Sequence, residues 1–143
     1  MDVISQSPRE TEEYGSLLAK SLMPGQIVAF IGDLGAGKTT FTRGLAAGLD
    51  IKSLVTSPTY TIANEYDEAS IPLIHFDLYR LNHAEELFEI GWDEYLERGA
   101  ILAVEWAERA KDLLPEDTIW VEIRRLDDTR RQIVITGIKE VQA

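Results

Sequence analysis

The sequence predicts an α/β sandwich of three layers, with a mixed parallel and antiparallel sheet between helices. Three observations predict it. Ile27-Val28-Ala29-Phe30-Ile31 and Ala100-Ile101-Leu102-Ala103-Val104 are short, continuously apolar runs, the pattern of strands buried on both faces. Amphipathic helical stretches flank them. Segments 59–66, 73–79, 118–125 and 131–138 are rich in β-branched and aromatic residues and pair across polar turns, as hairpins do.

Each element has its own signal. Ser7-Pro8-Arg9-Glu10 reads as a capping box with proline in the first turn, so a helix starts at Ser7. Leu17, Leu18 and Leu22 give it an apolar face, and Pro24-Gly25 ends it. The strand 27–31 runs directly into a glycine-rich loop. A helix follows over 39–49, with Phe41, Leu45 and Leu49 on one side and a stop near Gly48. The turn 67–70 joins two strands. Segments 84–90 and 92–98 are short helices around Gly91, and 106–113 is helical and stops before Pro115. The turn 126–130 closes a terminal hairpin.

The whole chain, 1–143, reads as one domain. Of its 143 residues 45% are hydrophobic, enough for a sizeable core. Cysteine is absent, which excludes disulfides, a thiolate nucleophile and Cys-ligated zinc. There is no apolar stretch long enough to span a bilayer and no basic-then-apolar leader at Met1–Gln6, so a cytoplasmic location is expected, with no membrane partner. The net charge of −11 repels a phosphate backbone and argues against tight independent binding to nucleic acid. A site for a phosphorylated ligand must therefore supply its own positive potential.

Gly32-Asp33-Leu34-Gly35-Ala36-Gly37-Lys38-Thr39 fits the pattern Gly-x4-Gly-Lys-Thr, the phosphate loop of nucleotide-binding proteins. Glycines let successive backbone N–H groups turn onto an anion, at the positive end of the following helix. Lys38 is placed to reach the β- and γ-phosphates of ATP or GTP, and the Thr39 hydroxyl to ligate Mg²⁺. Backbone groups of 33–37 complete the cradle, and Thr40 is a candidate contact to the α-phosphate. The expected fold is thus a P-loop NTPase-like sandwich.

Such a site needs an acidic residue at the end of a neighbouring strand for Mg²⁺ or its water. Ile101-Leu102-Ala103-Val104-Glu105 and Leu73-Ile74-His75-Phe76-Asp77 each end in one. The first run is the more apolar, so Glu105 is preferred as the metal ligand. Asp77 is then free to orient water, act as a base or bind the metal through water. His75 shares a strand face with Asp77 and is read as structural, able to support it by a hydrogen bond. Trp106 suits either stacking near the nucleotide or core packing. Ser57-Pro58-Thr59-Tyr60 suits either a γ-phosphate-sensing switch or an ordinary turn.

Four blocks, Gly32–Phe41, Ser57-Pro58-Thr59-Tyr60-Thr61, His75–Leu81 and Val104-Glu105-Trp106, occur in order, and together they resemble the TsaE (YjeE) family. The likeness runs from about Thr11 to Arg130. It implies a weak Mg²⁺-dependent ATPase of bacterial tRNA threonylcarbamoyladenosine synthesis, acting with TsaB and TsaD, the latter transferring the threonylcarbamoyl group to the adenosine beside the anticodon. It also implies residue roles. The phosphate loop holds ATP or ADP, and Thr39 and Glu105 hold Mg²⁺. Asp77 serves hydrolysis, and Thr59 belongs to the switch-like segment. Thr11 and Arg130 fall where the family contacts the base.

Three other readings compete. A small-molecule kinase would need a lid arginine, for which Arg124, Arg125, Arg130 and Arg131 are the candidates, but no inserted lid segment is present. A GTPase would carry an Asn-Lys-x-Asp segment, which is absent. A non-catalytic nucleotide-binding adaptor would share the loop without using its hydrolysis.

Overall fold

The computed structural model describes residues 1–32, 36–56, 58, 63–79, 81–83, 85–89 and 91–137. In chain order the elements are β1 (Asp2–Ser5), α1 (Pro8–Ala19), β2 (Ile27–Ile31), α2 (Lys38–Gly48), β3 (Ala63–Tyr66), β4 (Leu73–Asp77), α3 (Glu86–Glu89), α4 (Trp92–Glu97), β5 (Ile101–Glu105), a 3₁₀ helix (Ala107–Leu113), β6 (Ile119–Arg125) and β7 (Arg131–Thr136). All seven strands form one sheet, ordered β1-β7-β6-β2-β5-β4-β3. The four central strands are mutually parallel. Antiparallel strands close both edges: β3 beside β4, and β7 then β1 beyond β6. The mixed sheet expected from the sequence is what forms.

Helices cover both faces. On one side α1 and α2 bury Phe30, Phe41, Leu45, Val121 and Ile133, with Phe30 and Phe41 edge to face at 5.7 Å. On the other, α3, α4 and the 3₁₀ helix close over Ala29, Ile74, Phe76, Leu102 and Val104, where Phe76 meets Trp92 at 5.0 Å. The second cover reaches only the middle of the sheet. Along β6 the residues facing α1 and α2 are fully buried, whereas Trp120 and Glu122 on the opposite face are half-buried.

Helix α1 begins as its sequence dictates: Ser7 is extended and its Oγ accepts the Glu10 N–H at 3.1 Å. Its packing on α2 depends on glycine. A Cβ on Gly44 would fall 2.8 Å from the carbonyl carbon of Glu12, and one on Gly15 would strike the carbonyl oxygen of Phe41. The two helices therefore meet backbone to backbone, which brings the start of α1 beside the start of α2.

Helix α1 stops at Ala19, short of the expected end at Pro24-Gly25, and two further segments differ from the sequence expectation. Residues 2–5, for which the sequence reading proposes no element, pair with β7, Asp2 opposite Val134 through Ser5 opposite Arg131. This strand is fixed by a partner more than 120 residues away, so local pattern does not announce it. Segment 106–113 is helical but wound as a 3₁₀ helix, with non-helical angles at Ala110. It runs from Trp106 in a left-handed conformation to an extended Leu114 just before Pro115. The larger rise of 3₁₀ winding, about 2.0 Å per residue against 1.5 Å, covers the return toward β6 in few residues.

Candidate nucleotide site

Parallel order places the carboxyl ends of β2, β5 and β4 side by side. The phosphate loop leaves β2. Glu105 ends β5, and Asp77, which ends β4, is its register partner. The Leu78 N–H donates to the Glu105 carbonyl at 3.1 Å, continuing the ladder past both carboxylates. Lys38, Asp77 and Glu105, far apart in the chain, thus come to one edge of the sheet.

The ends of the loop show why they are glycine. Gly32 has φ +153° and a Cβ there would meet the Ile123 carbonyl oxygen at 2.5 Å. Gly37 sits at φ +111° as the residue before α2, a conformation that only glycine adopts without strain. No side-chain hydrogen bond caps α2 at Gly37, and a helix start of this kind favours an anion. Residues 33–35, part of the expected cradle, lie outside the described residues, as do Ser57, Thr59 and Tyr60 of the expected switch segment. Ala36 is buried, and its carbonyl accepts the Arg131 Nε–H at 3.0 Å. Thr39 and Thr40 lie half-buried in the first turn of α2.

Lys38 is only 5% exposed. Its ammonium donates to the Gly32 carbonyl at 3.0 Å and lies 4.7 Å from the Trp106 ring centroid. A cation over an indole face is stabilised by the ring quadrupole. Tyr79 packs on Trp106 at 5.0 Å, and Arg109 lies 5.5 Å from the Tyr79 ring. Two aromatic rings are thus held between two cations. The stack is aimed by backbone strain: Trp106 has φ +58°, a region costly to a bulky side chain. Of the two roles open to Trp106, core packing is displayed, since the half-buried ring lies against the second core cluster as well as beside Lys38.

Glu105 is 6% exposed and His75 is fully buried. His75 Nε2 donates to Glu105 Oε2 at 2.6 Å. The pairing follows from register. His75 is opposite Ala103 and Asp77 opposite Glu105, so His75 lies diagonal to Glu105 on the shared face. Among the described residues His75 Nδ1 has no hydrogen-bond partner. Asp77 is half-buried and accepts the Tyr79 N–H at 2.9 Å, which fixes the turn leading into the aromatic stack.

Thr11 lines a cleft of about 100 Å³ together with Pro8, Gly37, Thr40, Thr129 and Arg131. Its hydroxyl is 2.7 Å from that of Ser5, and Ser5 gives its only hydroxyl proton to the Ser7 carbonyl. Thr11 is therefore the donor in that pair. Arg130 is not among the residues lining this cleft; in the hairpin turn its Nε donates to Asp127 at 2.6 Å. The residue beside the phosphate loop is its neighbour Arg131, which sequence reasoning considered only as a lid arginine. Alternation along β7 carries the signal: Arg131 shares its face with Ile133 and Ile135, hence with α1 and α2. Arg124 and Arg125 are also engaged locally, with Glu122 and Asp128. A separate hollow of about 350 Å³ is lined by Ile31, Trp120, Glu122 and Val134 among others. It lies on the opposite face of the sheet and contains neither Lys38 nor Glu105.

The donors at the strand ends fit a hard divalent cation. Glu105, Asp77 and Thr39 offer oxygen, and among the described residues no cluster of three His, Cys, Asp or Glu exists. That suits an ion that keeps water and phosphate oxygens as most of its ligands, as Mg²⁺ does, rather than one caged by protein. Among the described residues no helix is long and apolar enough to cross a membrane.

The mixed sheet, with the buried lysine and the neighbouring strand-end carboxylates at one edge, defines an α/β protein whose candidate site lies at the carboxyl ends of its parallel strands. The chain belongs, more narrowly, to the TsaE family: residues 5–133 match the family model described as threonylcarbamoyl adenosine biosynthesis protein TsaE. It is 41% identical over 132 residues to the tRNA threonylcarbamoyladenosine biosynthesis protein TsaE of Bacillus subtilis, covering 92% of this chain and 82% of that one. Against the TsaE of Treponema pallidum it is 38% identical over 135 residues, covering 94% and 99%. The crystal structure of Bacillus subtilis YdiB superposes with a TM-score of 0.76 at 36% identity, over 94% of this chain and 83% of that one.

Proposed function

We propose that this chain binds and hydrolyses ATP with Mg²⁺ as the nucleotide-driven component of tRNA threonylcarbamoyladenosine synthesis, working with TsaB and TsaD. Family membership supports the pathway. The observation that carries the chemistry is the meeting of Lys38, Asp77 and Glu105 at the carboxyl ends of adjacent parallel strands. Phosphoryl transfer asks a protein mainly to position groups and neutralise charge, and these residues are of the kinds required. Lys38 would exchange the Gly32 carbonyl for phosphate oxygens. Thr39 and Glu105 would hold Mg²⁺, which when bound neutralises charge on the phosphates. Asp77 would orient the attacking water. Bound at the first turn of α2, a nucleotide would extend into the cleft between Thr11, Thr40 and Arg131. ATP hydrolysis is preferred to a kinase reaction because Arg124, Arg125 and Arg130 are bound within their own hairpin.

The test is reconstitution with TsaB, TsaD, tRNA and the threonylcarbamoyl donor system. Multiple-turnover modification is expected to require this protein and ATP. Asp77→Ala and Glu105→Ala should each abolish its contribution while the proteins remain folded. Unchanged turnover in both variants would refute the mechanism.

A further inference from the structure

We propose that His75 is a positioning residue for the metal ligand: its Nε2–H holds one oxygen of Glu105 so that the other is kept for the cation. The inference rests on the assignment of Glu105 to Mg²⁺ made above. Three observations carry it. The contact is short, 2.6 Å. Both groups are nearly or wholly removed from water, so no solvent competes for Glu105 Oε2. The two side chains are also fixed from below, since β4 and β5 run in register up to Asp77 and Glu105.

A buried carboxylate on a flexible side chain needs such an anchor. Glutamate has three rotatable bonds, and a cation bound by only one or two protein oxygens gains little if they must first be ordered. A hydrogen bond to one oxygen fixes the plane of the carboxylate, the role that outer partners commonly play for metal ligands. Packing alone does not account for the choice of residue. Among the described residues His75 Nδ1 makes no hydrogen bond, so the imidazole's polar value at this buried position lies in the one bond to Glu105.

The experiment measures Mn²⁺ binding to the protein with a non-hydrolysable ATP analogue by electron paramagnetic resonance, alongside metal-free analogue binding. His75→Phe keeps the bulk and removes the donor. It should weaken Mn²⁺ binding about 10- to 100-fold and leave metal-free nucleotide binding unchanged. His75→Gln, whose amide reaches the Nε2 position, should restore most of the loss. His75→Asn, too short to reach Glu105, should not, and it serves in place of His75→Phe should that variant fail to fold. In a Glu105→Gln background, removal of the His75 donor should cause no further loss, since coupled residues do not add. The proposal is overturned by unchanged Mn²⁺ affinity in a folded donor-less variant, by equal loss in His75→Gln, or by an additive loss in the double variant. If Glu105→Gln alone leaves Mn²⁺ binding intact, the metal assignment itself fails, which is a distinguishable result.

Discussion

Replacing Gly44 by alanine sets two effects of opposite sign against each other. Gly44 lies inside α2, where alanine is favoured over glycine by about 1 kcal/mol through helix propensity alone. The structure predicts the reverse outcome. The new methyl would lie 2.8 Å from the Glu12 carbonyl carbon and 2.9 Å from its Cα, whereas carbon atoms pack at about 3.5–4.0 Å. Both obstructing atoms are backbone, so no side chain can rotate away and α1 must shift by about 1 Å. Overpacking of this kind costs about 1–3 kcal/mol, and somewhat more when a helix moves. A gap of about 0.5–1 Å elsewhere in the interface also forfeits a quarter to a half of its dispersion energy. The net expectation is a loss of about 1–2 kcal/mol, or a fall in Tm of about 3–8 °C for a domain of this size. Urea denaturation followed by circular dichroism, with a thermal scan beside it, measures both. A variant as stable as the parent, or more so, would show that α1 and α2 do not meet as closely as described.

Three further perturbations test other joints of the structure. Ser7→Ala removes the acceptor of the Glu10 N–H and should cost about 1 kcal/mol, read by urea denaturation; no change would mean the cap is not formed in solution. Arg131→Ala removes the bond to the Ala36 carbonyl and a wall of the cleft, and should weaken nucleotide binding about 10- to 100-fold, in keeping with a charged hydrogen bond of about 1.5–3 kcal/mol. Calorimetric titration with ATP checks this, and unaltered affinity would remove Arg131 from the site. The side chain and backbone N–H of Arg130, then the Thr129 N–H, hold the Asp127 carboxyl well below its ordinary value of 3.8. Because the folded-state value is lowered, the turn's contribution is complete above pH 3.8 and is lost as pH falls through the lower folded value. Carbon NMR should find Asp127 still ionised at about pH 3, and Arg130→Ala should raise its midpoint; an ordinary midpoint in the parent would contradict the turn geometry.

What the sequence disclosed and what it concealed divide along physical lines. The strand 27–31 is legible because burial on both faces demands an unbroken apolar run, and its observed bounds match. The helix at Ser7 is legible because a cap is a local contract between residues three apart. The hairpin of β6 and β7 shows in alternation, and the apolar strand ending in Glu105 shows where a carboxylate must lie. Strand β1 is hidden because its partner is at the far end of the chain. The packing role of Gly44 is hidden because a helix-interior glycine looks like a weak position until a second helix arrives. That Arg131 and not Arg130 borders the cleft is a one-residue question, and one residue reverses the face of a strand. The bond from His75 to Glu105 needed the register of two strands 30 residues apart, which no local pattern supplies.

The sheet order explains why a generic phosphate loop is joined here to so specific a surrounding. A parallel centre delivers the ends of β2, β4 and β5 to one edge whatever the intervening chain contains, and that supplies Lys38, Asp77 and Glu105. The antiparallel edges do something different. On one side β7 and β1 return to the same face and set Arg131 against the loop and Ser5 against Thr11, so the cleft beyond Gly37 is made from both ends of the chain. On the other side, β4 leads through Asp77 into Tyr79, which packs on Trp106 and through it on Lys38. Lys38, proposed above to meet phosphate, is therefore in contact with an aromatic pair whose outer member is 55% exposed. A net charge of −11 is no obstacle in this arrangement. The positive potential is concentrated at a helix start and a buried ammonium, where low polarisability makes each charge count for more than it would in water.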